Sequence, residues 1–248
     1  MAIFPLYENF QKFISNKDKC NNLFSCYQKI YLEPNKEFFN HYFKATNIEE
    51  EQLRERVNKV KLEDYQYLFN LIQSYNLLNK TEEVLEKCKK YLYFEEVNIY
   101  LIIGFFLSPD GFILEVNKKP VIVISLERSN NFDLFPILLS HEYCHLAQRY
   151  FNTPSAKSKL ITEIYKEGLA CYFSKQIIPN MPPYKYVFLK KGEYNYCLKN
   201  TKSPLSERYK YFAGFRIIEE CVRRANLSLK ELIKGKGSAD RPPLNFFT

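Results

Sequence analysis

Apolar residues recur at helical spacing along most of the first 95 positions. In Leu62–Tyr75, the residues Tyr65, Leu68, Phe69, Ile72 and Tyr75 fall on one stripe, the pattern of a helix with one face in a core. Thr81–Tyr93 repeats it with Val84, Leu85, Cys88 and Leu92. Pro34-Asn35 breaks an earlier pair of helical segments, and Thr46-Asn47-Ile48-Glu49 has the form of a capping box ahead of Glu50–Lys61. At about Val97 the period changes. Val97–Leu107, Phe112–Val116 and Val121–Ser125 are short runs of β-forming residues. Ser108-Pro109-Asp110-Gly111 and Asn117-Lys118-Lys119-Pro120 separate them as turns, so a small sheet is predicted. Helical spacing returns from about Asn131–Asp133 to Tyr150, then in Ser158–Lys175, Ser206–Arg224 and Ser228–Ile233. Between these, Asn180–Pro204 reads as irregular.

The order of elements predicts an α+β fold. A helical region occupies 1–95, a mostly helical domain with a small mixed sheet occupies 96–234, and 235–248 form a tail. The sheet is expected to pack on the helix that ends near Tyr150, through Leu139, Tyr143, Leu146 and Tyr150.

Composition changes this picture little. A chain of 248 residues with 46% hydrophobic and 26% charged positions suits a globular protein, and only 7 glycines favour helices over a many-stranded architecture. The net charge of +8 is uneven: residues 1–124 carry 16 Lys+Arg against 17 Asp+Glu, and residues 125–248 carry 20 against 11. No dense basic run occurs, so the second half reads as a solvated basic surface rather than a specific nucleic-acid footprint. Seven cysteines, an odd number with no Cys-x-x-Cys pair, indicate neither a disulfide framework nor a cysteine-based zinc site. The N-terminus lacks the form of a signal peptide, and Ile99–Leu107 is too short to span a bilayer. A reducing cytoplasm is the compartment these features predict, with no membrane partner.

The chemistry concentrates in His141-Glu142-Tyr143-Cys144-His145. Residues four apart share a helix face, so both imidazoles can reach one metal ion, with Glu142 beside them to hold a water. The chain has only three histidines, and two of them fall in this pattern. The third, His41, sits among Phe38, Phe39, Tyr42 and Phe43 and reads as a packed or surface residue. A catalytic zinc site takes three protein ligands and leaves a fourth position open. Glu167, on the following helix, is the choice for the third ligand. Glu163, one turn earlier on the same face, is its rival, or else a carboxylate that orients a ligating histidine. Gly168, beside Glu167, makes sense if another helix approaches closely there. Cys144 and Cys171 read as small packing residues.

The stretch Lys166–Phe173, KEGLACYF, resembles the Glu-Gly-aromatic/Leu-Ala segment of gluzincin metallopeptidases. The fuller order, sheet, HEYxH helix, EGLAxYF helix, then a Tyr-x-x-Gly helix, is similar to an uncharacterised family of predicted bacterial zinc-dependent proteases. Tyr211-Phe212-Ala213-Gly214 fits the last element. The resemblance spans about Val97–Ile233; Cys171 departs from it, standing where many relatives carry an acidic or polar residue. It implies a zincin-like domain that hydrolyses peptide bonds, with zinc on His141, His145 and Glu167, Glu142 as general base, and a peptide or protein as substrate. It further implies that Phe112–Val116 holds the substrate by strand addition. Tyr211, with Tyr209 close behind, is the phenol expected to steady the oxyanion. The alternative from another class is a catalytically silent, zinc-stabilised interaction module. A protease associated with nucleic acid through the basic half is a third reading.

Overall fold

A computed structural model describes residues 2–128, 131–153, 155, 158–200, 209–225 and 228–234. Among them the chain runs β1 (Ala2–Phe4), α1 (Tyr7–Ser15), α2 (Leu23–Tyr27), α3 (Lys36–Thr46), α4 (Glu50–Lys59), α5 (Leu62–Tyr75) and α6 (Leu77–Tyr91). It continues with β2 (Asn98–Ile102), β3 (Gly111–Val116), β4 (Lys119–Ser125), α7 (Phe135–Tyr150), α8 (Lys159–Ile177) and α9 (Pro183–Tyr186), and ends with α10 (Lys191–Lys199), α11 (Tyr209–Ala225) and α12 (Leu229–Ile233). The fold is α+β, mostly helical with one small mixed sheet. Two compact units divide the chain: Met1–Glu82 with Glu95–Phe135, and Glu83–Phe94 with Pro136–Thr248. No described helix is long and apolar enough to cross a membrane.

In the first unit the sheet has the order β1-β2-β4-β3. β1 and β4 both run parallel to β2, and β3 returns antiparallel to β4. Val121–Ser125 of β4 are all buried, so both faces of the sheet are covered along this central strand. The hairpin turns at Asn117 and Lys118, both with positive φ (50° and 64°), which matches the twist of the flanking strands. Beside the sheet, Phe38 and Phe4 stack on opposite faces of Tyr100, with centroids 4.3 and 4.5 Å away. Tyr31 is fully buried, and its hydroxyl donates to the Ile103 carbonyl (3.0 Å) while accepting from the Ile103 amide (2.9 Å).

Several local expectations are corrected. β1 was not expected, because three residues are too few to show a period. The capping box forms one turn later: Gln52 accepts from the Glu49 amide (3.4 Å), while Asn47, at φ 52°, ends α3. The motif helix starts at Phe135 rather than at 131–133. The span read as irregular holds α9 and α10, while 201–204 and the tail at 235–248 lie outside the described residues. Cys20 and Cys26, six apart, form a disulfide that the odd cysteine count gave no sign of; the other five cysteines are free.

In the second unit α7 is the central helix. Tyr143 is fully buried, with its ring against Phe94 (4.8 Å) and nearly parallel to Phe173 of α8 (5.9 Å). Its hydroxyl donates to the Leu92 carbonyl (2.7 Å), which ties Glu83–Phe94 to this unit. The Ser174 hydroxyl donates to the Ile137 carbonyl (3.1 Å), joining α8 to α7. The helices α8 and α11 cross with their backbones in contact at Gly168 and Gly214. A Cβ on Gly214 would overlap the Ile164 carbonyl oxygen and lie 2.8 Å from the Gly168 Cα. The close approach expected beside Glu167 is therefore real, and Gly214 is its partner.

Candidate metal centre

The second unit holds the three residues that matter most. α7 buries Leu139, Tyr143, Leu146 and Ala147, which fixes its rotation and leaves the face bearing His141 and His145 turned toward α8. α8 is capped by Ser158, whose hydroxyl accepts from the Ile161 amide, and the Gly168–Gly214 crossing sets its lateral position. Glu167 is thereby brought to the two imidazoles. Its Oε2 lies 3.1 Å from His141 Nε2 and 3.2 Å from His145 Nε2, and the two Nε2 atoms are 2.9 Å apart. Among the described residues these three form the group able to hold a metal ion. Glu163, the rival, is not part of it.

The triangle is close to the one that three ligands of a tetrahedral metal form. Ligand atoms at about 2.0–2.1 Å from a metal are separated by roughly 3.3 Å, a few tenths longer than the spacings seen. A proton shared among the three atoms satisfies one close contact at a time; a cation at their centre satisfies all three. Two neutral imidazoles and one carboxylate suit several first-row divalent ions.

The charges respond to this crowding. Burial alone would lower the His145 pKa, but the hydrogen bond and charge of Glu167, with Glu142 and Gln148 adding, outweigh it and raise it to about 9. Burial likewise pushes Glu167 up, and its contacts with His141 and His145 overcome that and hold it well below the usual carboxylate range. Glu142 is buried (5% exposed), and burial raises its pKa; charge on His145 and His141 opposes the shift and Glu167 adds to it. A buried carboxyl of raised pKa beside the two imidazoles is able to take up or release a proton there.

Aromatic rings close one side. Tyr211 of α11 lies 5.9 Å from His141 between ring centroids, whereas Tyr209 packs on Phe212. Of the two phenols considered, Tyr211 is the one beside the ligands. Phe188 meets His141 edge-on at 5.1 Å and Tyr211 at 5.8 Å. Its backbone has φ 53°. The Leu189 amide bonds the Tyr184 carbonyl (3.0 Å) and the Phe188 amide the Lys185 carbonyl (3.3 Å), which is the Schellman pattern after α9 with Phe188 in the left-handed position. Gly or Asn is usual there. Sequence reasoning missed Phe188, because a Phe gives no sign of a left-handed turn.

The cysteines behave as packing residues. Cys144 and Cys171 are fully buried, and burial drives both thiols far up. Cys171 Sγ is 3.9 Å from His141 Nδ1, on the ring edge away from the ligand atom. Gln148 was also missed: it sits three residues after His145 and contacts that ring's Nδ1. A helical spacing of three from a ligand was the signal that could have found it. His41 lies in the other unit, with Nε2 3.2 Å from Asn117 Oδ1. β3, the strand considered for substrate, is an edge strand of its sheet, as strand addition requires. No family model, curated protein or solved structure matches this chain.

Proposed function

We propose that the chain is a zinc-dependent peptidase with a zincin-like catalytic domain. The observation that carries the reading is the convergence of His141, His145 and Glu167 next to a buried Glu142. When bound, zinc supplies a Lewis acid that polarises the scissile carbonyl and lowers the pKa of water toward neutrality. Glu142 takes a proton from the attacking water and delivers it to the leaving amine, a role its raised pKa suits. Tyr211 is the phenol that donates to the developing oxyanion, a role that the nearness of its ring to His141 supports. Phe188 and Tyr211 wall off the His141 side from water. The substrate is a peptide or protein. Five free cysteines fit a cytoplasmic location; Cys20–Cys26 is the pair that does not.

The interaction-module reading has less behind it. A structural zinc site is closed by four protein ligands, whereas three gather here among the described residues, and burying Glu142 serves no purpose in a site without chemistry. Metal analysis together with a peptide-library digest tests the proposal. Wild type should carry about one zinc per chain and cut peptides. Glu142→Gln should keep the zinc and lose about 10²- to 10⁴-fold in rate. Wild type that takes up no zinc, or Glu142→Gln that cuts as fast as wild type, overturns it.

A further inference from the structure

Gln148 is buried on α7 with only 3% of its surface exposed, one turn after His145. Its amide makes two short contacts that point in different directions. Nε2 donates to the Lys166 carbonyl on α8 at 2.8 Å, and Oε1 lies 3.1 Å from His145 Nδ1. Nε2 also faces Cys144 Sγ at 3.6 Å. A carbonyl can only accept, so the Lys166 contact fixes which end of the amide is nitrogen. The oxygen end then faces His145, and an amide oxygen also can only accept. His145 Nδ1 must therefore carry a proton, so that in the neutral ring the lone pair falls on Nε2, the atom facing Glu167 and His141.

Lys166 immediately precedes Glu167. One side chain thus orients the ring of one ligand and grips the backbone next to another, across two helices. An amide, with a donor at one end and an acceptor at the other, can do both. An aspartate or glutamate in its place could accept from Nδ1–H but could not donate to the Lys166 carbonyl. The usual partner of a ligating histidine, a carboxylate, would serve the ring and leave the helices untied.

We infer that Gln148 is a positioning residue that couples the ligand helices α7 and α8 by holding His145 in its Nδ1–H form while fixing the backbone beside Glu167. The inference rests on the metal centre proposed above. Gln148 lies outside the ligand group and contacts His145 at the ring nitrogen turned away from it, so its effect appears in metal affinity rather than in chemistry.

The test is zinc affinity of the full chain, measured by competition with a chromophoric chelator, for wild type, Gln148→Met and Gln148→Glu. Met matches the shape and makes neither bond, so zinc should bind about 10- to 100-fold more weakly, with the far-ultraviolet circular dichroism unchanged. Glu restores the acceptor for Nδ1–H, so it should recover part of that loss, which a merely space-filling role would not produce. Equal affinity in wild type and folded Gln148→Met overturns the inference while leaving the metal centre standing, as does a Gln148→Glu variant no better than Gln148→Met. Wild type that binds no zinc removes the metal centre and the inference together. Should Gln148→Met not fold, proton NMR of zinc-loaded wild type decides: the His145 Hδ1 should be protected from solvent exchange, and a rapidly exchanging Hδ1 overturns the inference.

Discussion

Left-handed backbone positions show how single residues carry or hide their roles. Among the described residues, ten other than glycine have positive φ, and five of them, at 47, 76, 117, 152 and 180, are Asn, the residue that tolerates this region best after Gly. With only 7 glycines in the chain, Asn does Gly's usual work, and those turns are legible as turns. Phe188 is not: a bulky ring there costs about 1 kcal/mol or more, and nothing in Val187-Phe188-Leu189 announces it. The ring's contact with His141 is the compensation the structure offers. This yields a prediction with an unusual sign. Truncation to Ala and to Gly removes the same ring, but only Gly is at ease at φ 53°. Phe188→Gly should therefore be more stable than Phe188→Ala by about 1 kcal/mol in urea unfolding, the reverse of the order in ordinary backbone. An Ala variant as stable as the Gly variant would refute the strained assignment.

Helices and strands were legible in proportion to their length. Leu62–Tyr75 runs as its apolar stripe indicates, and Phe112–Val116 and Val121–Ser125 lie in strands, whereas of Val97–Leu107 only Asn98–Ile102 is strand. β1, at three residues, carries no period, and α9 and α10 are too short and too aromatic to stand out from a loop. The most useful element-level signal was Gly168, because a glycine inside a helix needs a reason. The reason is Gly214, and the two backbones leave no room for a methyl group on either side. Gly214→Ala gains up to about 1 kcal/mol in helix propensity. Against that, its Cβ would meet the Ile164 carbonyl and the Gly168 backbone, neither of which can rotate away as a side chain could. Overpacking of this kind costs about 1–3 kcal/mol and more when backbone must move, so we expect a net loss of about 2 kcal/mol by thermal or chemical denaturation. Because Glu167 adjoins the crossing, zinc binding should weaken with it. A Gly214→Ala protein with unchanged stability and zinc affinity would show that the crossing does not set the ligand spacing.

For the whole molecule, composition foretold a helix-rich chain with little sheet. It did not foretell that Glu83–Phe94 joins the second unit through Leu92 and Phe94 at Tyr143, since contacts between residues some fifty positions apart leave no local pattern. Nor did it show what the centre does to overall stability, which follows from the competition between a proton and a metal for one place. Without metal, His145 has its pKa raised from 6.5 to about 9. A raised pKa contributes stability that is fully present below the unfolded value and lost as pH rises through the folded one, so this contribution fades from about pH 6.5 to about 9. Glu167, lowered from 4.5, contributes through the same ion pair above about pH 4.5 and loses it in acid. The metal-free centre therefore stabilises the chain most between about pH 4.5 and 6.5. Zinc needs the His145 Nε2 lone pair, so binding at neutral pH releases the proton and strengthens as pH rises toward 9. Free zinc at 100 times its dissociation constant adds about 2.7 kcal/mol. For a chain of this size that corresponds to a rise in melting temperature of roughly 5–10 °C. Melting curves in a chelator and in buffered excess zinc, taken from pH 6 to 9, isolate the centre from every other titrating group. The gap between the two curves should widen with pH, and a gap that narrows or stays constant would mean that His145 is not the site at which proton and metal exchange.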